Sequence, residues 1–440
     1  MNFRDFLKDT IVHLDGGMGT LLQSRGLTPG EHPERWNMTH PEIIQAIHRD
    51  YFDAGSNVVC TNTFGANCLK FSEHELRTII RAAVDNARAA RDTSGGNQPK
   101  YIALDIGPTG KLLKPLGDLD FEDAVEVFAK TVRIGVACGV DLILIETMND
   151  SYETKAALLA VKENCDLPVL VSNAYGEDGK LMTGATPATM VAMLEGMGAD
   201  AIGANCSLGP DQLRSVINEL LSCASVPVIL KPNAGLPNVV DGKTVYDVDA
   251  KSFAESVTDL VKAGVRIVGG CCGTTPDYIR TLTEKTAHIS PVPVTDKNIT
   301  AVSSYTHAVV FGDSPILIGE RINPTGKKRF KQALLEKDMD YLRKAACEYI
   351  PDLIRYTREF YEVFQANWDE TNKPFGSENG QIRLGGVINR AEYVAKRVKK
   401  YIDGEIDRLE ELEQEVLLSE RVTFNHGFRK NTTANAVGIV

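Results

Sequence analysis

Cys206 lies in the block Gly203-Ala204-Asn205-Cys206-Ser207-Leu208-Gly209-Pro210, and Cys271 and Cys272 sit side by side in Gly269-Gly270-Cys271-Cys272-Gly273-Thr274-Thr275. Both blocks follow apolar runs and both are framed by glycine. Three thiols in this setting read as a catalytic zinc site, because three protein ligands leave a fourth position for water or substrate. Structural zinc is closed by four ligands, usually in paired Cys-x-x-Cys knuckles, and the chain contains no Cys-x-x-Cys. A buried core thiol is the plainer fate of an isolated cysteine. Cys60, Cys68, Cys138, Cys165, Cys223 and Cys347 show no partner spacing and are read as core or surface thiols. Adjacent residues of a strand face opposite ways, so a Cys-Cys pair serves one metal only where the strand has ended and the chain is turning. Gly269, Gly270 and Gly273 are placed to make that turn.

The elements that must carry these thiols follow from hydrophobic pattern. Short apolar runs at Ile11–Leu14, Asn57–Thr61, Ile102–Asp105, Leu142–Glu146, Val169–Asn173, Ala201–Asn205, Val228–Lys231 and Val265–Gly269 predict strands. Amphipathic stretches such as Pro41–Ala54, Phe121–Cys138, Ser151–Glu163, Pro187–Gly196, Pro210–Leu221 and Ala250–Ala263 alternate with them. Eight strands, each followed by a helix, predict an α/β protein of the (β/α)₈ TIM-barrel type. Each strand is followed at once by a polar or glycine-rich cluster, among them Asp15-Gly16-Gly17, Thr61-Asn62-Thr63, Glu146-Thr147 and Lys231-Pro232-Asn233. In a barrel these clusters converge on the C-terminal rim, where active sites are built from the βα loops.

Bulk properties are those of an ordinary soluble globular protein, with 43% hydrophobic and 24% charged residues. A chain of 440 residues holds one large barrel and an appendage. A formal net charge of −11 argues against nucleic acid as a partner, since phosphate binding needs a basic footprint. No segment approaches the roughly 18 apolar residues of a membrane span, and the first residues lack the apolar run of a signal peptide. Nine cysteines without a dense framework point to reduced thiols and a cytoplasmic location.

The expected organisation is a barrel over 1–287, a linker over 288–306 rich in Pro, Ser, Thr and Val, a truncated βα unit over 307–348, and a mainly helical tail over 349–440. Within these, Ile316-Leu317-Ile318 reads as a strand leading into Gly319–Lys328, and Tyr356–Trp368 and Ala391–Leu418 read as helices.

Taken together, Asp15-Gly16-Gly17-Met18-Gly19-Thr20, Thr61-Asn62-Thr63-Phe64-Gly65-Ala66, Asp105-Ile106-Gly107-Pro108-Thr109-Gly110, the Asn205-Cys206 block, Pro232-Asn233-Ala234-Gly235 and Gly269-Gly270-Cys271-Cys272-Gly273 resemble the homocysteine-binding barrel of cobalamin-dependent methionine synthase, within the zinc-dependent homocysteine S-methyltransferase family. The resemblance covers residues 5–290. Gly319–Lys328 resembles the entry to the adjoining methyltetrahydrofolate-binding barrel, whose remainder is missing, as is the Asp-x-His-x-x-Gly signature of a cobalamin module. Asn367-Trp368, Asn372–Gly376 and Arg383–Gly386 resemble the C-terminal helical region of some bacterial glycoside hydrolases.

The resemblance implies transfer of a methyl group to homocysteine, giving methionine, with Zn²⁺ held by Cys206, Cys271 and Cys272 and with methylcobalamin supplied from outside by a corrinoid-carrying protein or module. The resemblance implies Asn233 at the fourth zinc position until substrate arrives, a place that a water would fill equally. Asp15 and Glu146, at the ends of the first and fourth strands, are the expected partners of the homocysteine ammonium. Backbone amides around Gly16 and Gly17, with Thr63, are expected at its carboxylate, since glycine permits close backbone approach. Plainer readings exist for both acids: Asp15 as a turn residue before Gly-Gly, Glu146 as half of a rim salt bridge. Asp105 and Asn173 read as structural rim residues, Met18 as packing and His13 as an ordinary strand histidine. Two rival functions remain open at this level: a methyltransferase that takes betaine or S-methylmethionine directly, and a non-catalytic remnant that binds homocysteine and zinc.

Overall fold

The computed structural model describes residues 2–240, 243–312, 328–336, 338 and 341. Eight parallel strands form one sheet: β1 (Val12–His13), β2 (Val58–Cys60), β3 (Tyr101–Ile106), β4 (Leu142–Met148), β5 (Val169–Asn173), β6 (Ala201–Asn205), β7 (Val228–Lys231) and, after a hairpin of β8 (Pro237–Val240) and β9 (Lys243–Tyr246), β10 (Ile267–Val268). Their order around the sheet is β1-β10-β7-β6-β5-β4-β3-β2. A parallel bridge from Leu14 to Val58 and the bond from the Asn57 amide to the His13 carbonyl (2.7 Å) join the two ends and close the barrel. The expected (β/α)₈ architecture is therefore present, with the predicted strands in the predicted order.

Period-two alternation divides the apolar side chains into two cores. Val12, Val58, Tyr101, Leu142, Leu144, Leu170, Ala201, Ile229 and Ile267 fill the barrel interior, and the N-terminal helix Phe3–Asp9 adds Phe3, Phe6 and Leu7 to that cluster. Ile143, Ile145, Val169, Val171, Val228 and Leu230, one residue out of step, pack outward against the helices. The same parity decides what stands at the open end. Stepping by two from the interior positions of each strand reaches Cys60, Asp105, Glu146, Ser172, Asn205 and Lys231, all of which are buried.

Arg266, at 2% exposure, anchors the closed end by donating to the carbonyls of Leu7 (2.9 Å) and Val292 (2.6 Å). Residues 288–310 then run along the barrel wall. Lys297 N–H bonds Ser225 Oγ (3.0 Å), and Tyr305 donates its hydroxyl to Asp150 (3.0 Å) while accepting Ser151 Oγ at its carbonyl (2.7 Å). At the end of this stretch β11 (Thr300–Ser303) pairs with β12 (Ala308–Phe311), a ribbon that the linker-like composition did not predict. The β8–β9 hairpin was likewise not expected. Residues 1–310 form one compact unit and 311–440 a second, in which a helix spans Lys328–Glu336. The predicted strand at 316–318, most of the Gly319–Lys328 segment and the tail helices lie outside the described residues. Among the described residues no helix is long and apolar enough to cross a membrane.

Candidate active site

The backbone at the ends of β6 and β10 is built to turn cysteine side chains toward one another. Immediately after β6, Cys206 and Ser207 adopt φ of 58° and 59°, in the left-handed region that costs a non-glycine residue roughly 1–2 kcal/mol. Hydrogen bonds hold that turn: the Cys206 amide donates to the Lys231 carbonyl (3.0 Å) and the Leu208 amide to the Cys206 carbonyl (2.7 Å). After β10 the chain turns at Gly273, φ 81°, and the Cys271 amide donates to the Pro232 carbonyl (2.9 Å). A Cβ on Gly270 would collide with Thr274, and one on Gly269 would stand 2.8 Å from the Asp15 carbonyl oxygen. The glycines expected to make the turn thus sit where a side chain has no room.

The three Sγ atoms consequently lie within 4.8 Å of one another, with Cys206 and Cys272 4.0 Å apart. Among the described residues this is the group of thiols, carboxylates and imidazoles able to hold a metal ion. Zinc–sulfur bonds of about 2.3 Å in a tetrahedron place sulfurs about 3.8 Å apart, so the donor set fits zinc in spacing and in softness. The thiols share charge. Bonds from Cys206 and Cys271 hold the Cys272 thiol well below its ordinary value, and giving such bonds pushes Cys271 well up. Tyr246, from β9, lies with its ring against Gly273, and its phenol is pushed up by burial and by the neighbouring Cys272.

Asn233 does not point an unengaged side chain at the cluster. Its Oδ1 accepts the Cys272 amide (3.1 Å), so it orients the turn that presents that thiol. Asn205, fully buried, accepts the Thr147 amide and the Ser172 hydroxyl at Oδ1 (2.7 Å each) and donates to Thr147 Oγ1 (2.7 Å), with Cys271 Sγ at 4.0 Å. It ties the β4 end, where Thr147 is held at φ 60°, to the cysteine cluster.

The carboxylates gather on the other side of the mouth. Asp15, 2% exposed, accepts the Cys60 amide at Oδ2 (2.7 Å), and burial pushes its carboxyl up against the pull of Lys231. Glu146 Oε2 lies 2.7 Å from Lys231 Nζ, which is 3.7 Å from Asp15 Oδ1 and from Cys60 Sγ. Asp105 also faces the interior. Burial and the Glu146 charge push its carboxyl well above the usual range, and its Oδ1 has no hydrogen-bond partner. Gly17 donates its amide to Thr274 (3.1 Å to Oγ1), Gly16 has no space for a Cβ beside Thr274 Oγ1 (2.6 Å) and Tyr51 Oη (2.7 Å), and Thr63 Oγ1 donates to the Asp105 carbonyl (2.8 Å). Cys60, read as a core thiol, is a wall of this cluster. Lys231, Asn205 and Tyr246 were not singled out by sequence reasoning. Strand parity signals the first two, as charged or amide residues ending apolar strands at interior positions; nothing local signals Tyr246.

A (β/α)₈ barrel whose rim gathers three thiols beside two ion-paired carboxylates defines a class of sulfur-handling barrels. The model of the homocysteine S-methyltransferase family matches residues 12–286, and the chain belongs to that family. A second model, the glycoside hydrolase 20C C-terminal domain, matches residues 324–428. Among curated relatives, methionine synthase of Mycobacterium leprae is 32% identical over 348 residues, covering 74% of this chain and 29% of the relative. Methionine synthase of Mycobacterium tuberculosis is 30% identical over 353 residues, covering 76% and 30%. The chain thus spans less than a third of the length of these relatives. Among solved structures, the metallated form of the homocysteine methyltransferase MmuM from Escherichia coli shares the fold at a TM-score of 0.55 and 24% identity, over 64% of this chain and 99% of that one.

Proposed function

We propose that this chain transfers a methyl group to the sulfur of homocysteine, giving methionine, as the homocysteine-activating part of a cobalamin-dependent methionine synthase. The observation that carries this reading is the cluster of Cys206, Cys271 and Cys272 Sγ atoms at the rim of a barrel of the homocysteine S-methyltransferase family. The three thiols would hold Zn²⁺, which when bound supplies the positive charge that keeps a substrate thiol deprotonated at neutral pH, where a free thiol is mostly protonated.

The chain's own residues supply the rest. Asn233 holds the turn that presents Cys272, and Asn205 Nδ2 stands 4.0 Å from the Cys271 Sγ. Asp15 and Glu146 face the side of the mouth where the substrate ammonium would lie. The carboxylate is assigned to Gly16, Gly17 and Thr63, where binding would exchange the Gly17–Thr274 bond for one to the ligand. In the reaction the thiol proton leaves, the sulfur lone pair forms the new S–CH₃ bond, and the donor–methyl bond breaks with its electron pair staying on the donor. The donor is methylcobalamin, presented by a corrinoid-carrying protein or module, and the compartment is the reducing cytoplasm. Purified protein should form methionine from homocysteine when methylcobalamin is added. Turnover with betaine or S-methylmethionine and none with methylcobalamin would replace this donor assignment, and no turnover with any of them would leave a binding protein.

A further inference from the structure

Lys231 has no role in the reading above, yet it is placed at its centre. It ends β7 at an interior position and reaches across the barrel mouth with its side chain 3% exposed. Its ammonium stands 2.7 Å from Glu146 Oε2 on β4, 3.7 Å from Asp15 Oδ1 after β1 and 3.7 Å from Cys60 Sγ on β2. A buried ammonium needs counter-charge, and here one cation meets two carboxylates. Burial and the Glu146 charge push the carboxyl of Asp105, the third acid, well above the usual range. The two acids facing the one ammonium leave one negative charge over. Asp15 Oδ1 is buried and, beyond the 3.7 Å ion pair to Lys231, accepts no hydrogen bond.

We propose that Lys231 is a positioning residue for the substrate ammonium: it holds Glu146 and Asp15 apart and cancels one of their two charges, so that the mouth selects a thiol carrying one α-ammonium over the same thiol without it. This deepens the homocysteine reading and rests on it. Two carboxylates left without a cation in a dry pocket share a proton between them, so removing Lys231 turns the two acids toward each other instead of leaving both open to an ammonium, and selectivity falls. Removing Glu146 alone leaves Asp15 matched by Lys231 and the pocket neutral. Removing both leaves Asp15 alone and restores a single negative charge.

The test is calorimetric titration of the zinc-loaded full chain with homocysteine and with 4-mercaptobutanoate, its counterpart without the amino group, in wild type, Lys231→Met, Glu146→Gln and the double variant. Wild type should prefer homocysteine. Each single variant should lose about tenfold or more of that preference, the scale of a lost charge-assisted hydrogen bond, with 4-mercaptobutanoate affinity kept within about twofold. The double variant should regain preference over Glu146→Gln. Full preference in Lys231→Met, equal loss for both thiols, or a double variant as poor as the product of the singles would overturn the proposal. If Lys231→Met fails to fold, the double variant against Glu146→Gln carries the same comparison. Wild type binding neither thiol would instead overturn the homocysteine reading itself.

Discussion

Replacing Asn205 by Ala removes a side chain that is fully buried and engaged on every side. Its Oδ1 accepts the Thr147 amide and the Ser172 hydroxyl, and its Nδ2 donates to Thr147 Oγ1, each at 2.7 Å. The Ser172 hydroxyl can rotate toward another acceptor, and Thr147 Oγ1 loses only a donor to its lone pair, which limits the loss to about 1 kcal/mol or less each. The Thr147 amide cannot rotate, because Thr147 is held at φ 60° within the irregular stretch of β4 between Ile145 and Met148. Left unpaired at the half-buried end of β4 it costs about 1–3 kcal/mol. The sum is a destabilisation of about 3 kcal/mol, measured as a shift in the urea midpoint of the barrel's unfolding. Asn205→Asp keeps the two Oδ1 acceptances and should recover the part due to the Thr147 amide. It also sets a negative charge beside Cys271, so zinc affinity measured by chelator competition should fall in that variant while stability largely returns. A loss below about 0.5 kcal/mol in Asn205→Ala, the level of an ordinary surface change, would refute the claim that this amide joins the β4 and β6 ends.

Cys272→Ala should lower bound zinc from about one equivalent to well below it and abolish methyl transfer, while the circular dichroism melt stays within a few degrees, because the cluster sits on the ends of strands whose barrel closes without it. Stability should also fall on acidification, tracked by urea midpoints at pH 7 and pH 4.5. His13 and His48 are both pushed down to about 4 by burial, so between pH 6.5 and 4 the unfolded chain takes up protons that the folded chain refuses. The sign is loss as pH falls, full stability above about 6.5, and a slope that flattens in His48→Leu. Gly203→Ala should prevent accumulation of soluble barrel, since its Cβ would fall on the Ile229 carbonyl of the paired strand, a backbone atom that cannot move aside; a soluble variant with an unchanged melt would contradict the packing between β6 and β7.

The barrel was legible in the chain because its signals are local. A fully buried parallel strand is an apolar run of a few residues, and each run ends in residues that make poor strand, so Leu142–Glu146 or Val228–Lys231 declares both the strand and the rim. The cysteine cluster was legible for a similar reason: glycines on both sides of Cys271-Cys272 mark a turn, and a turn is what lets neighbouring residues face one site. The hairpin at Pro237–Tyr246 and the ribbon at 300–311 were not legible, because short antiparallel pairs take their stability from what they lie against. Charge pairing belongs to the same class. Lys231 and Glu146 are 85 residues apart, and only closure of the barrel brings β4 and β7 across from one another and makes one lysine the partner of two acids. Residue types and turn positions follow from short stretches of chain, whereas which buried charge meets which depends on the closed sheet, where every strand end faces every other.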